Sequence, residues 1–270
     1  MHRLRRHAKI GLIHFMAFPE ATRPGGPLLE TLETILADDY FDAVEVTKIE
    51  DPDMAQRAAA MIETSHITVA FGAQPVLLSR KLNLNAPDDA ARRQAVDAVR
   101  ACLDQAALLH ATGVAVLSGP FEAGDEGDAQ HRLVDSLVQL AGEAAARELS
   151  LVLEIFDDAV DKKALVGKAP VARAVGERVR QECPNFGLMH DLSHLPLLGE
   201  TPREALEPIA DLLVHAHMGN CVCAPDQAGY GDQHPRFGVA GGANDVVALA
   251  DYLRVLYRIG YLGGPERRIL

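Results

Sequence analysis

Short apolar runs alternate with longer segments of helical periodicity along most of the sequence. The apolar runs, such as 43–49 and 151–156, are rich in aliphatic residues. The segments between them carry apolar residues three and four positions apart, as at Val96, Val99 and Leu103. This alternation is typical of βαβ units, in which helices connect neighbouring parallel strands.

The pattern predicts a series of strands and helices that share one chain order. The predicted strands cover residues 9–15, 43–49, 66–71, 114–117, 151–156, 187–190, 212–218 and, as the opening of a truncated eighth strand, 268–270. The predicted helices cover residues 28–37, 51–62, 88–112, 129–148, 170–183, 202–207 and 244–259. We therefore predict an α/β fold, a (β/α)8 TIM barrel in which residues 1–270 form a single domain.

Eight strand starts in a chain of this length fit a barrel better than an open dinucleotide-binding sheet. No Gly-x-Gly-x-x-Gly motif follows the first predicted strand, so the fingerprint of a pyrophosphate-binding turn is missing. The longest irregular stretch, 219–243, lies between the seventh strand and its helix and is rich in Gly, Pro and Asp. On a barrel, such a loop lies at the C-terminal mouth, where active sites are built.

Composition narrows the range of partners and compartments. The formal net charge of −12 disfavours binding to nucleic acid or to an anionic membrane surface. The sequence has no apolar run of about 18 residues, and its basic start lacks a small-residue cleavage site, so we expect neither a membrane span nor a signal peptide. The four cysteines do not suggest a disulfide framework. We expect a cytoplasmic protein with a small-molecule substrate, and a homo-oligomer is left open.

Three neighbouring predicted strands end in residues that commonly bind metal ions. Glu154, Asp191 and His217 stand at the ends of strands five, six and seven. Adjacent strands lie about 4.8 Å apart, so these side chains are expected to meet at the C-terminal mouth. Two carboxylates and one imidazole suit Mn²⁺, Mg²⁺, Co²⁺ or Zn²⁺. The alternative is that each residue is a buried polar group satisfied by an ordinary hydrogen bond or ion pair.

Further polar residues are expected around the same mouth. His194 lies in the loop after strand six and is either a substrate-binding residue or a surface histidine at a helix start. Glu45 and His14, at the tops of strands two and one, are further candidates for contact with a substrate. His215 shares one side of its strand with His217, and it either supports the metal ligands or belongs to the barrel core.

Four short motifs carry a resemblance to a known family. They are Leu-Glu-Ile-Phe-Asp at 153–157, Asp-Leu-Ser-His at 191–194, His-Ala-His at 215–217 and Tyr-Gly-Asp-Gln-His-Pro-Arg-Phe-Gly at 230–238. In their order and spacing the chain resembles the xylose-isomerase-like TIM barrels of the sugar phosphate isomerase/epimerase superfamily. This superfamily includes ketose 3-epimerases, inosose dehydratase and the AP endonuclease family 2-like proteins. The resemblance spans nearly the whole chain.

The resemblance implies a metal held by a Glu, an Asp, a His and a second Glu after strands five to eight. The first three map to Glu154, Asp191 and His217. The resemblance also implies a substrate-binding role for His194, and for an Arg soon after the strand-seven histidine. The nearest downstream arginine is Arg236, in a longer loop than the family pattern has.

The fourth ligand departs from the family pattern. Glu266 precedes the eighth strand and should therefore lie at the opposite, N-terminal face of the barrel. Either the fourth ligand lies beyond residue 270, or the ion is completed by Asp232 or His234 in the long loop. The three-zinc cluster of endonuclease IV is disfavoured, because His66 and His110 should also lie at the wrong end of their strands.

The resulting hypothesis is a metal-dependent sugar isomerase or epimerase. It would act on a ketose, a keto-cyclitol or a related sugar through an enediolate, with Glu154 as general base and His194 next to the developing oxyanion. Two alternatives stay open at this point: a metal-dependent lyase or dehydratase of a keto-sugar or keto-cyclitol, and a metal-binding barrel without catalysis.

Overall fold

The computed structural model describes residues 4–270, so the first three residues of the basic start lie outside the described range. The strands are β1 (Ala8–Lys9), β2 (Gly11–Ile13), β3 (Ala43–Thr47), β4 (Thr68–Gly72), β5 (Ala111–Leu117), β6 (Ser150–Ile155), β7 (Phe186–Asp191), β8 (Leu213–His217) and β9 (Arg268–Ile269). Strands β2 to β8 form one parallel sheet of seven strands, and their order in space is their order in the chain. This neighbour-by-neighbour order is what the barrel prediction requires.

The first and last strands meet at the edge of this curled sheet. β9 pairs in parallel with β1, and the Leu270 N–H donates to the Lys9 carbonyl at 2.9 Å. On its other side, the Arg268 guanidinium donates to the Leu213 carbonyl of β8 at 2.6 Å. β9 therefore lies in the position of the predicted eighth strand, and it is two residues long.

Helices occupy most of the connections between strands, as predicted. They are α1 (His14–Ala17), α2 (Leu28–Leu36), α3 (Pro52–Glu63), α4 (Gln74–Ser79), α5 (Asp89–Leu108), α6 (Glu126–Ala145), α7 (Ala169–Glu182), α8 (His194–Leu198), α9 (Pro202–Leu206) and α10 (Val246–Arg258). None of these helices within residues 4–270 combines the length and the apolar character that a membrane span needs.

Aliphatic and aromatic side chains fill the layer between the sheet and the helices. Leu103 of α5, Leu133 of α6, Phe186 of β7 and Tyr252 of α10 are all buried there. The Tyr252 hydroxyl donates to the His190 carbonyl at 2.8 Å, which fixes α10 to the C-terminal end of β7. Packing outside the barrel thus holds the strand end from which Asp191 projects.

A smaller apolar cluster lies on the inner face of the sheet. Ala115, Val152 and Met189 form it together with Val214. Ala115 and Val152 are register partners, and Glu154 follows Val152 on the same face because strand side chains alternate with a period of two. The polar residues of the C-terminal mouth therefore stand directly above this apolar layer.

The structure differs from the predicted elements at several places. The strand predicted over 9–15 ends at Ile13, and His14 instead begins the short helix α1. The helix predicted over 88–112 ends at Leu108, and His110 takes a φ of 54°, so β5 already begins at Ala111. Helices α4 and α8, of six and five residues, are too short to show a 3.6-residue period and were not predicted, whereas the equally short α9 was predicted over 202–207.

Two glycines allow a matched test of packing in this fold. A Cβ added at Gly187 of β7 would lie 2.4 Å from Val214 Cγ2 on the neighbouring strand, whereas a Cβ at the exposed helical Gly142 meets nothing within 4 Å. We expect Gly187→Ala to destabilise the fold by about 1–3 kcal/mol through overpacking. Gly142→Ala should stabilise it by about 0.5–1 kcal/mol. Chemical denaturation measures both changes, and equal effects of the two variants would contradict the packing described.

Candidate metal centre and active site

The C-terminal ends of β6, β7 and β8 bring Glu154, Asp191 and His217 together. Asp191 and His217 are register partners, and Glu154 stands on the next strand as the partner of Met189. One ligand atom from each of the three residues lies within 4.8 Å of the other two. Glu154 and Asp191 are 4% and 1% exposed, so their charges face one another inside the protein. The structure thus gathers the three residues predicted as metal ligands.

Asp191 is held in place by backbone donors and by an imidazole. Its Oδ1 accepts hydrogen bonds from the N–H groups of Ser193 (2.7 Å) and Gly219 (2.8 Å). Its Oδ2 accepts from His234 Nε2 at 3.2 Å and lies 3.8 Å from His217 Nδ1. Burial raises the pKa of Asp191, but the His234 hydrogen bond and the nearby imidazoles outweigh burial and hold the pKa well below its usual value. Asp191 is therefore a fixed carboxylate that suits a cation.

Glu154 differs from the other carboxyl groups of the mouth in its protonation. Burial raises the pKa of Glu154 to about 7, although His194 and His217 act to lower it. Its Oε2 accepts a hydrogen bond from Gln74 Nε2 at 2.7 Å. A carboxyl group with a pKa near neutrality is able to take up and release a proton at neutral pH.

His217 also contacts Glu45, which reaches the site from β3 on the opposite side of the barrel. The Nε2–H of His217 donates to Glu45 Oε2 at 3.0 Å, and His215 Nε2 lies 3.2 Å from His217 Nε2. Burial lowers the pKa of His217, but the charge and hydrogen bond of Glu45 outweigh burial and raise the pKa to about 9. Burial raises the pKa of Glu45, yet the two histidines lower it overall.

His194 lies at the start of α8, under the long loop. Its Nδ1–H donates to the Ile155 carbonyl at 2.6 Å, and its Nε2–H donates to Asp232 Oδ2 at 3.3 Å. Burial lowers the pKa of His194, but the charge and hydrogen bond of Asp232 outweigh burial and raise the pKa to about 10. Because both ring nitrogens donate, His194 is a buried imidazolium. Lys162 Nζ lies 3.6 Å from the same Asp232 oxygen, which adds a second positive charge.

His234 connects the loop to the three strand-end residues. Its Nε2 donates to Asp191, and its Nδ1 faces Asp232 Oδ1 at 3.4 Å. Within the described part of the chain, these last two atoms are buried without a hydrogen-bond partner. His234 also has a φ of 47°, in the left-handed region that histidine adopts at a cost. Asp232 and His234, the predicted additional ligands, thus both reach the mouth.

The remaining predicted residues lie in two different cavities. Arg236 lines a cavity of about 480 Å³ together with Asp191 and His217, so it reaches the mouth. His14 lines another cavity of about 480 Å³, where its Nε2 lies 2.8 Å from Thr31 Oγ1. The structure therefore does not bring His14 to the strand-end cluster. Glu266 lies at the N-terminal face, as expected from its position before β9.

Two residues of the site did not emerge from the sequence. Gln74 lies two residues after the end of β4, at the start of α4, and donates to Glu154, so a search for polar residues just beyond strand ends would have found it. Asn220 has no comparable signal, because its role depends on the path of the loop. Its Oδ1 accepts hydrogen bonds from the N–H groups of Cys221 and Asn244, and its Nδ2 donates to the Arg236 carbonyl. These bonds fix the loop over the mouth.

The donor set fits a divalent cation. Glu154, Asp191 and His217 offer two oxygens and one nitrogen from positions that face a common point. This is a set that Mn²⁺, Mg²⁺, Co²⁺ and Zn²⁺ accept. The unpartnered Asp232 Oδ1 and His234 Nδ1 add two further donors beside the cluster. Among these five side chains, Asp232 Oδ1 and His234 Nδ1 are the described buried atoms whose hydrogen-bonding capacity an ion would satisfy.

A model of the xylose isomerase-like TIM barrel family matches residues 35–264 of the sequence. The chain therefore belongs to the xylose isomerase-like TIM barrel family, and the predicted fold class is confirmed. A comparison with curated proteins gives no match.

Solved structures share the fold at low sequence identity. D-psicose 3-epimerase with D-tagatose from Clostridium cellulolyticum H10 gives a TM-score of 0.71 at 18% identity, over 95% of this chain and 82% of that one. AP endonuclease, family 2 from Brucella melitensis gives 0.68 at 17% identity, over 96% and 95%. The IOLI protein with a zinc atom gives 0.70 at 14% identity, over 97% and 87%. At identities of 14–18%, the similarity shows that these proteins and this chain share the barrel fold.

Proposed function

We propose that this protein is a metal-dependent sugar isomerase or epimerase that acts next to the carbonyl of a ketose, a keto-cyclitol or a related sugar. The observation that carries the proposal is the convergence of Glu154, Asp191 and His217 at the C-terminal mouth. The 3-epimerases among the structural neighbours support it at the level of fold. Glu154, Asp191 and His217 would hold the ion, with Asp232 and His234 as additional donors. A divalent ion, when bound, supplies Lewis-acid polarisation of a substrate carbonyl.

Glu154 is the base of this proposal. Its carboxyl group lies in a cavity of about 290 Å³, whose lining also includes Phe15, Phe156 and Lys162. This volume is at the lower end for small-molecule sites and suits one sugar. Glu154 would remove the proton from the carbon beside the carbonyl. Returned by Glu154 to the former carbonyl carbon, this proton gives the isomer, whereas epimerisation requires a second group that delivers a proton to the opposite face of the enediolate. The Gln74 amide keeps one carboxyl oxygen fixed, so the other is free to face the substrate.

A fixed positive charge near Glu154 would stabilise the developing negative charge through its field rather than by contact, because the His194 side chain is completely buried. His194 is a buried imidazolium whose orientation is set by the Ile155 carbonyl and by Asp232. It needs no reorientation as the enediolate forms, and preorganised charge of this kind is the most effective form of transition-state stabilisation. Phe156 packs against the His194 ring at a centroid distance of 4.4 Å and shields it from water.

The proposal is tested by hydrogen exchange in D₂O. The protein is first freed of metal with a chelator and then reloaded with Mn²⁺, Mg²⁺, Co²⁺ or Zn²⁺ before incubation with a panel of keto-sugars. We expect deuterium to enter the α-position only in the reloaded samples, with a loss of at least about 100-fold on metal removal. NMR of the recovered sugar measures it. Metal binding without exchange across the panel would favour the barrel without catalysis.

Elimination is the second candidate reaction. It is favoured by one observation: among the described carboxyl groups of the mouth, only Glu154 has a raised pKa, whereas the pKa values of Glu45, Asp191 and Asp232 are lowered. A single proton-transferring group with an ion suffices to expel a β-hydroxyl group from a keto-sugar. The same NMR samples separate the reactions, because dehydration gives an unsaturated or deoxy product, whereas epimerisation gives a stereoisomer that keeps every hydroxyl group.

The hydrogen bond from Gln74 allows a graded test of the base. Gln74→Leu keeps the side-chain volume but removes the donor to Glu154, so the carboxyl group loses its fixed orientation. We expect the exchange rate at saturating metal to fall by about 10-fold, the effect of losing one oriented hydrogen bond. Gln139→Leu, on the exposed face of α6, is the matched control. Equal rates in the two variants would remove Gln74 from the site.

A further inference from the structure

A second cluster of metal-binding atoms lies on the side of His217 that faces away from Asp191. Glu45 Oε2 is 3.0 Å from His217 Nε2 and 3.6 Å from His215 Nε2, and the two ring nitrogens are 3.2 Å apart. The three side chains are 6–11% exposed. Glu45 comes from β3, whereas both histidines come from β8, so the cluster spans the inside of the barrel.

The three side chains cannot all be satisfied by hydrogen bonds to one another. His217 Nε2 carries one hydrogen, which points to Glu45. If His215 Nε2 also carries a hydrogen, that hydrogen meets the His217 N–H or a Glu45 oxygen at 3.6 Å, which is too far for a hydrogen bond. If it carries none, its lone pair competes with Glu45 for a single hydrogen. One cation satisfies the three side chains better, because it accepts a lone pair from the Glu45 carboxylate and from each imidazole.

The spacing of the three atoms matches the ligand shell of such a cation. Ligands bonded at about 2.0–2.2 Å to a tetrahedral ion lie about 3.3–3.6 Å from one another. The observed separations of 3.0, 3.2 and 3.6 Å bracket that range. Two imidazoles and one carboxylate are also a ligand set that zinc uses with its fourth position open. Here the cavity of about 480 Å³ that Arg236 lines touches all three residues.

From this geometry we infer that Glu45, His215 and His217 form a second divalent-metal site of the zinc type. It is distinct from the cluster of Glu154 and Asp191, and His217 stands between the two. Its Nε2, once deprotonated, would bind the second ion, and its Nδ1 faces Asp191 Oδ2 at 3.8 Å. If both nitrogens bind ions at once, His217 loses both ring protons and bridges the two ions as an imidazolate. The inference does not rest on the proposed sugar reaction, since it concerns metal binding alone.

Zinc stoichiometry tests the inference independently of catalysis. Metal-free protein is titrated with Zn²⁺ against a chromophoric chelator, and the ions retained after desalting are counted by mass spectrometry. We expect His215→Gln and Glu45→Gln each to retain one Zn²⁺ fewer than the wild type. Asp191→Asn should lose the other ion and keep this one. The surface variant His131→Gln, which removes one histidine away from both clusters, should bind as the wild type does.

Two results would overturn the inference. One is an unchanged number of ions in a folded His215→Gln protein, as judged by circular dichroism and thermal unfolding. The other is loss of the second ion in Asp232→Asn with its retention in His215→Gln, which would place that ion at His194, Asp232 and His234. If His215→Gln does not fold, the zinc content of Asp191→Asn decides. One retained Zn²⁺ supports the second site, and a metal-free Asp191→Asn protein contradicts it. Failure of the sugar assay leaves all these counts unaffected.

Discussion

Glu154→Gln is expected to lower the rate of α-proton exchange from a ketose substrate by about 10²–10⁴-fold. The substitution keeps the size and shape of the side chain, and its amide oxygen still accepts the hydrogen bond from Gln74. What it removes is a carboxyl group whose pKa burial raises to about 7. No other described carboxyl group of the mouth has a raised pKa, so no neighbour replaces it as a neutral-pH proton carrier.

The measurement must separate loss of the base from loss of the ion, because Glu154 is expected to serve as both. Exchange is therefore followed at a metal concentration well above the dissociation constant measured for the variant. Glu63→Gln, an exposed substitution of the same type at the end of α3, is the control. Wild-type exchange by a metal-saturated Glu154→Gln protein would show that another residue moves the proton.

Asp191→Asn is expected to weaken binding of the strand-end ion by more than about 100-fold. Replacement of a residue that only supports a ligand typically costs 10–100-fold in affinity, and Asp191 is placed to contact the ion directly. The carboxamide removes the negative charge that faces His217 and His234, while the backbone donors of Ser193 and Gly219 still hold one oxygen. The fold around the strand end is therefore preserved.

Calorimetric titration with Mn²⁺ measures this loss. Mn²⁺ is the appropriate probe for this centre. Its two carboxylates, Glu154 and Asp191, favour a harder ion than the site of Glu45 does, where two histidines supply nitrogen ligands. Asp226→Asn, an exposed substitution of the same type in the long loop 219–243, provides the matched control. An Asp191→Asn protein that binds Mn²⁺ with wild-type affinity would exclude Asp191 as a ligand, and with it the proposed centre.

The strand-end residues were predictable because the barrel obeys a simple rule. Parallel strands in chain order carry their C-terminal ends to one mouth, so Glu154, Asp191 and His217 meet whatever the loops do. The same rule placed Glu266 at the far face, where it lies. It failed at His14, because the first strand ends at Ile13, two residues earlier than predicted, and the histidine begins helix α1.

Contacts made by loops could not be derived in this way. Asp232 meets His194 because the loop folds back over α8, and that path depends on Asn220 and Asn244 rather than on any periodic pattern. Glu45 was expected near a substrate, but its contact with His215 and His217 depends on the curvature of the sheet. Strand spacing gives the neighbours along a sheet, and only coordinates give the partners across a barrel.

The pairing of β1 with β9 has a consequence for how the protein folds. Ala8 and Arg268 are register partners although almost the entire chain separates them, so their contact costs more loop-closure entropy than any other strand pair. We expect the sheet from β2 to β8 to form first and this seam to form last. Ile269 and Leu270 line the same cavity as His217 and Arg236. A refolding chain would therefore recover its secondary structure before it recovers a complete binding pocket.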